Sequence, residues 1–194
     1  MSDIKIDRKL NLVVPIENDG EILYVHSAPI SHAVFERYFK VIARTFSELY
    51  GGGYGIMSGP RIAAMLLKSV SSEMGVWDGV TGVENGLMSE IRRITNVICL
   101  DQNGGWVTIP FHDAAVLHKI SDDDIAEVEN AIVFFTLASA MHKKADLPEI
   151  LGGASKLWGG LATPSSIMEF ITGLPTPTQA VSIGETARAL SIPS

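Results

Sequence analysis

A single cysteine, Cys99, is all the thiol chemistry the chain contains. One thiol closes no internal disulfide, which excludes a cross-linked secreted scaffold and fits a reducing cytoplasm. Its setting, Val97-Ile98-Cys99-Leu100, predicts a small buried side chain rather than a nucleophile. Charge is also sparse. Charged residues make up 19% of the 194, and the formal net charge is −7. Such a field repels phosphate backbones. The densest basic clusters are only pairs, Arg92-Arg93 and Lys143-Lys144, each beside helical apolar positions. No nucleic-acid partner is expected. An apolar run of about 18 residues, the length a membrane span needs, is missing too. The best stretch, Ala131 to Met141, is too short, and the charged start MSDIKIDRK does not read as a secretory leader.

What the chain does have is apolar side chains. Hydrophobic residues reach 46%, and the mean hydropathy is +0.24. A chain of this length buries roughly 70% of its unfolded surface and needs no staples to fold. The surplus implies a well-filled core, or apolar surface that a partner covers.

The pattern of those residues predicts a mainly α fold, with an N-terminal β-hairpin followed by a helical bundle and a flexible C-terminal tail. Leu10 to Ile16 and Glu21 to Ser27 read as two strands around the turn Glu17-Asn18-Asp19-Gly20. Pro15 has no amide to donate, so the first strand is an edge there. Val34, Phe35, Tyr38, Phe39, Ile42, Phe46 and Leu49 recur at helical steps over Ser31 to Tyr50, with Ser31 as N-cap and Gly51-Gly52-Gly53 as the stop. Further helices are expected over Pro60 to Met74, Val83 to Ile98, Asp113 to His118 and Asp122 to Lys144. Trp106 to Phe111 reads as a brief extended segment. Short helices are expected at Glu149 to Leu151 and Pro164 to Ile171, the latter capped by Thr163. The domain thus runs over residues 1–174. Pro175 to Ser194, poor in charge and bulky aromatics, reads as a flexible or weakly helical tail.

The sequence offers little chemistry. Gly51-Gly52-Gly53-Tyr54-Gly55 with Gly59 follows a helix and leads into Pro60-Arg61, so it lacks the strand and the Gly-Lys-Ser/Thr ending of a phosphate loop. Asp101-Gln102-Asn103-Gly104 starts like a calcium loop, but Trp106 and His112 stand where Gly and Glu are required. His112 and His118 are six apart and share no helix face, and Ser58 is not in a nucleophile elbow. Glu127 and Glu129 read as the wet face of a helix. No catalytic residue, cofactor or metal is therefore expected. The strongest hint is Phe134-Phe135. Adjacent residues on a helix point about 100° apart, so both rings are buried only if that helix is covered on two sides. A partner or a second copy of the chain could supply one cover. Phe134, Phe135 and Met141 are accordingly the expected protein-contact positions.

The hairpin segments LNLVVPI and EILYVHS, the helix ISHAVFERYFKVIARTFSELY and the segment EVENAIVFFTLASAMHKKADLP together resemble the tail assembly chaperones of long-tailed bacteriophages. LWGG at Leu157 to Gly160 and LPTPT at Leu174 to Thr178 fit the same likeness. The resemblance implies a small acidic helical protein of the host cytoplasm, absent from the finished virion. It would coat the tape measure protein, recruit tail tube subunits, and in many cases exist in a longer frameshifted form. It implies no catalytic residues. The competing readings are a structural virion component (a head-tail connector or minor tail protein), a small enzyme with a dispersed site, and an antitoxin-like binder.

Overall fold

The computed structural model describes residues 10–18, 21–117, 119–142, 146–147, 149–151 and 160–175. Two strands, β1 (Asn11–Asn18) and β2 (Glu21–Ser27), lead into two long helices, α1 (His32–Gly51) and α2 (Gly55–Glu73). A π-helical turn (Glu84–Met88) runs on into α3 (Ser89–Arg93). Strands β3 (Thr95–Leu100) and β4 (Trp106–Pro110) follow, then α4 (Phe111–Val116), α5 (Asp122–Met141), β5 (Leu161–Thr163) and α6 (Ile167–Gly173). The strands form one antiparallel sheet in the order β4-β3-β2-β1-β5. The architecture is therefore mixed α/β, which corrects the mainly α bundle expected from periodicity.

The correction has a local cause. Val83, Leu87, Ile91, Ile94 and Ile98 keep helical register, yet the helix stops at Arg93 and residues 95–100 are a strand. Thr95, Val97 and Ile98 are β-branched, a composition that suits a pleated, half-buried surface. Their pairing partner, β2, lies far back in the chain. Buried hydroxyls lock the junction. Thr95 Oγ1 donates to Ile91 O at 2.7 Å, so Ser27 Oγ supplies the proton of the 2.9 Å bond between Ser27 and Thr95. Helix α2 also differs from expectation. It begins at Gly55 and carries Pro60 inside it, where the ring deprives Ile56 O of its usual donor. One turn on, the Ala64 amide is held by Asn130 Oδ1 of α5 at 2.9 Å.

The strands alternate between two faces. Leu12, Val14, Ile16, Leu23, Val25, Val97 and Cys99 point into the main core, under α1, α2 and α5. Val13, Tyr24, His26, Ile98 and Trp106 occupy the opposite, outer face by register. The chain returns to extend the sheet with β5 and to set α6 against that face. Strand β5 pairs with β1 only across Asn11 to Val13, so Pro15 lies beyond it, at what is locally an edge. Helix α6 opens with a reciprocal capping box between Ser166 and Glu169. Its Phe170 ring packs edge-on against Tyr24, with centroids 5.3 Å apart. Ser165 O accepts from Asn11 Nδ2 at 3.0 Å and from His26 Nε2 at 3.3 Å, and Trp106 Nε1 donates to Pro175 O at 3.0 Å. The expected helix from Pro164 capped by Thr163 is thus a strand ending at Thr163 and a helix starting three residues after Pro164. The region assigned to a flexible tail lies, apart from Pro175, outside the described residues.

His26 couples this cover to pH. Burial pulls its pKa below the ordinary value of 6.5, only partly offset by the bond to Ser165 O. The unfolded chain therefore takes up the proton first as pH falls. The stability contributed by neutral His26 is complete above about pH 6.5 and is lost as pH falls toward the folded value. Urea unfolding between pH 7.5 and 5 is expected to show this loss, and His26→Gln, which keeps a donor for Ser165 O, to flatten the slope. An unchanged slope in His26→Gln assigns the acid sensitivity to other groups.

Candidate functional site

The two rings expected at a partner surface lie in the interior: Phe134 is 1% and Phe135 0% exposed. Every residue from Ala131 to Ala138 is buried. Both covers of α5 come from within the chain, α1 and α2 on one side and β1 on the other. Phe134 is pressed so closely on α2 that a Cβ at Gly59 would sit 2.7 Å from its Cε2. Met141, at the last turn, is half-buried against the core. The inference from the apolar helix was sound about double burial but assigned the second cover to the wrong molecule.

The dispersed polar candidates are likewise occupied by local structure. Asp101 Oδ1 accepts from the amides of Asn103 at 2.9 Å and Gly105 at 2.7 Å, so its carboxylate shapes the β3–β4 turn. Gly104, at φ 77°, completes that turn. Glu127 and Glu129 point to different surroundings. Glu129 binds Arg92 Nε at 2.7 Å, while Glu127 lines a cavity of about 150 Å³ with Pro15, Arg61 and Asp124. Arg92 also binds Glu84 at 2.8 Å. Burial pulls its guanidinium pKa down, but hydrogen bonds to Glu129 and Glu84 outweigh that and hold it above its usual value. The triad ties the π-helical turn and α3 to α5. His32 pairs with Glu36 at 3.2 Å on the surface, Ser58 is exposed on α2, and His118 lies outside the described residues. Among the described residues no three His, Cys, Asp or Glu side chains converge as metal ligands. No described helix is long and apolar enough to cross a membrane.

Two places stand out, one for its burial and one for its opening. At the ends of α1 and α5, the Phe46, Tyr50 and His142 rings cluster with centroids 4.5 to 6.4 Å apart. Tyr50 OH and His142 Nε2 are buried there without a hydrogen-bond partner among the described residues. Burial raises the Tyr50 pKa.

The second place is a groove of about 650 Å³ between α1 and the Met74–Val83 connection. Its apolar lining includes Tyr38, Val41, Met74, Val76 and Val83, and its charged lining Glu36, Arg37 and Lys40. Phe39 is 49%, Val76 40% and Val80 92% exposed. The connection is a formed wall. Val83 N donates to Val76 O at 2.9 Å, and Glu84 N to Trp77 O at 3.1 Å. Tyr38 OH donates to Thr81 O at 3.3 Å and overlies Gly86, where any Cβ would collide with it. Arg44, bonded to Glu73 at 2.9 Å, closes the side where α1 meets the end of α2. Nothing in the sequence of this connection marks a groove, since its exposed valines belong to no motif. Phe39 recurs at the same helical steps as the core positions of α1, and that spacing hides its exposure.

Comparison of the chain with protein-family models, curated proteins and solved structures returned no match.

Phe134→Ala and Phe135→Ala are expected each to cost about 3–5 kcal/mol of stability, the loss that follows truncation of a fully buried ring. Denaturant titration measures this directly. A loss below about 1 kcal/mol would place the ring at the surface instead.

Proposed function

We propose that the chain is a non-catalytic protein-binding chaperone of bacteriophage tail assembly, working in the host cytoplasm. Its client is the helical tape measure protein, to which it recruits tail tube subunits. The observation that carries the binding half of this reading is the open groove beside α1. Its lining combines apolar side chains with the charged Glu36, Arg37 and Lys40, and two of the apolar ones, Phe39 and Val76, are 49% and 40% exposed. A groove between two packed elements with a partly apolar lining suits the apolar face of a partner helix. The assembly half rests on the resemblance carried by LNLVVPI, EILYVHS and the α1 and α5 sequences.

A groove suits this task physically. A tape measure protein presents long helical apolar stripes before the tube encloses it, and a helix lying in a groove buries them without needing new backbone hydrogen bonds. Met57 and Met65 are also exposed on α2. Methionine is unbranched and adapts to irregular apolar partners, so this second surface suits contact with a further copy or a tube subunit.

Co-expression with the long helical protein of the same tail module is expected to yield a soluble complex, while purified particles contain none of this chain by mass spectrometry. Val76→Asp is expected to lower capture of the client about tenfold with thermal unfolding unchanged, since an exposed substitution shifts stability by no more than about 0.5 kcal/mol. Fixed stoichiometry in the particle would instead make the chain a structural virion component. Capture unaffected by Val76→Asp would remove the groove from the reading.

A further inference from the structure

We propose that the groove beside α1 selects an amphipathic helix whose apolar stripe is flanked by carboxylates, with Arg37 and Lys40 reading the acidic flank. The inference rests on the client-binding role proposed above and adds the chemistry of the partner.

The charge arrangement of the rim points this way. The chain carries a net charge of −7, yet this rim holds two exposed cations one helical turn apart. Among the described residues, neither Arg37 nor Lys40 has an ion-pair partner. The other α1 arginine, Arg44, is neutralised by both Glu48 and Glu73 at 2.9 Å. Arg92 and Arg93 are likewise paired with glutamates. The one carboxylate among the described lining residues, Glu36, lies 3.2 Å from His32. Two adjacent cations left without an ion pair, where three of the five described arginines have one, and set beside an apolar floor, match a ligand that brings its own carboxylates.

The walls decide that the ligand is a helix. An extended peptide is held by backbone bonds to an open strand edge. Here one wall is the flank of α1. The other is a loop whose amides and carbonyls bond one another, Val83 to Val76 and Glu84 to Trp77. Neither wall is a strand edge, so a ligand here is held mainly through side chains, as an amphipathic helix is. A polyanion such as nucleic acid or an anionic membrane is disfavoured, because two cations do not offset the long-range repulsion of the acidic chain.

The test uses the full chain and two synthetic helical peptides of about fifteen residues, roughly four turns. They share one leucine stripe and differ only in flanks of Glu or Lys. By fluorescence anisotropy at low salt, the Glu-flanked peptide is expected to bind about tenfold tighter than its Lys-flanked counterpart, because attraction replaces repulsion at two rim positions. The preference is expected to shrink as salt shortens the screening length. The double variant Arg37→Glu/Lys40→Glu is expected to reverse it. Amide shifts on titration are expected at Val76 and Val83. Equal affinities, tighter binding of the Lys-flanked peptide, binding of neither, or shifts confined elsewhere would each overturn the inference. If Val76→Asp still lowers client capture about tenfold when the peptides bind equally, the chaperone reading survives and only the acidic flank falls.

Discussion

The packing of α5 is the constraint on which the rest of the molecule depends. Eight consecutive residues, Ala131 to Ala138, are buried, so the helix has no wet side over two turns. A helix that is apolar all round must be enclosed. One enclosing layer is α1 and α2, and the other is the inner face of the sheet at β1. The polar contacts around α5 lie where that enclosure ends. Asn130, at the start of the buried stretch, bonds Ala64 N and Ala126 O, and Glu129 faces out to Arg92. Gly59 is explained by the same demand, since a side chain there would occupy the space of the Phe134 ring.

Enclosing α5 with a sheet creates a second problem, because a sheet has two faces. The outer face carries Val13, Tyr24, Ile98 and Trp106, too apolar to be left to water. The segment from Leu161 to Pro175 solves this with a three-residue strand and a two-turn helix. None of the α6 residues is fully buried, so the cover is held less by apolar area than by defined polar contacts: Asn11 and His26 on Ser165 O, and Trp106 on Pro175 O. A buried histidine in that set, its pKa lowered by burial, makes the cover sensitive to acid.

Local signals were legible wherever they were sufficient. Ser31 caps α1 as its position suggested and Ser121 caps α5 in the same way, each accepting an amide three residues on, and the first hairpin pairs in the expected order. The sheet was not legible, because its defining pairing joins Tyr24 to Ile98 and Val25 to Val97. No local pattern encodes a partner so distant, and Ile98 happened to continue a helical register. The α6 start was readable: Ser166 and Glu169 have capping-box spacing, and the signal was passed over for Thr163 because Pro164 drew the boundary. The groove was illegible for a different reason. Its walls come from α1 and a loop some forty residues away, and Val76 and Val80 have no meaning until Tyr38 pins that loop in place.

The energetics of the groove bear on what kind of binder it can be. Fully burying one valine or leucine contributes roughly 1.5–3 kcal/mol, and the exposed apolar side chains here are few and already partly covered. Association itself costs at least several kcal/mol of lost freedom. One copy in one groove is therefore a weak binder. A long client with repeated stripes changes the arithmetic, because many weak copies in line hold it collectively while each still exchanges quickly. Such a coat protects a stripe against aggregation and yields it, copy by copy, to a subunit that packs more tightly. A rigid, deep, high-affinity pocket would fail at the second step. The groove and its two rim cations are compatible with the proposed role, in which the chain would have to leave its client as well as bind it.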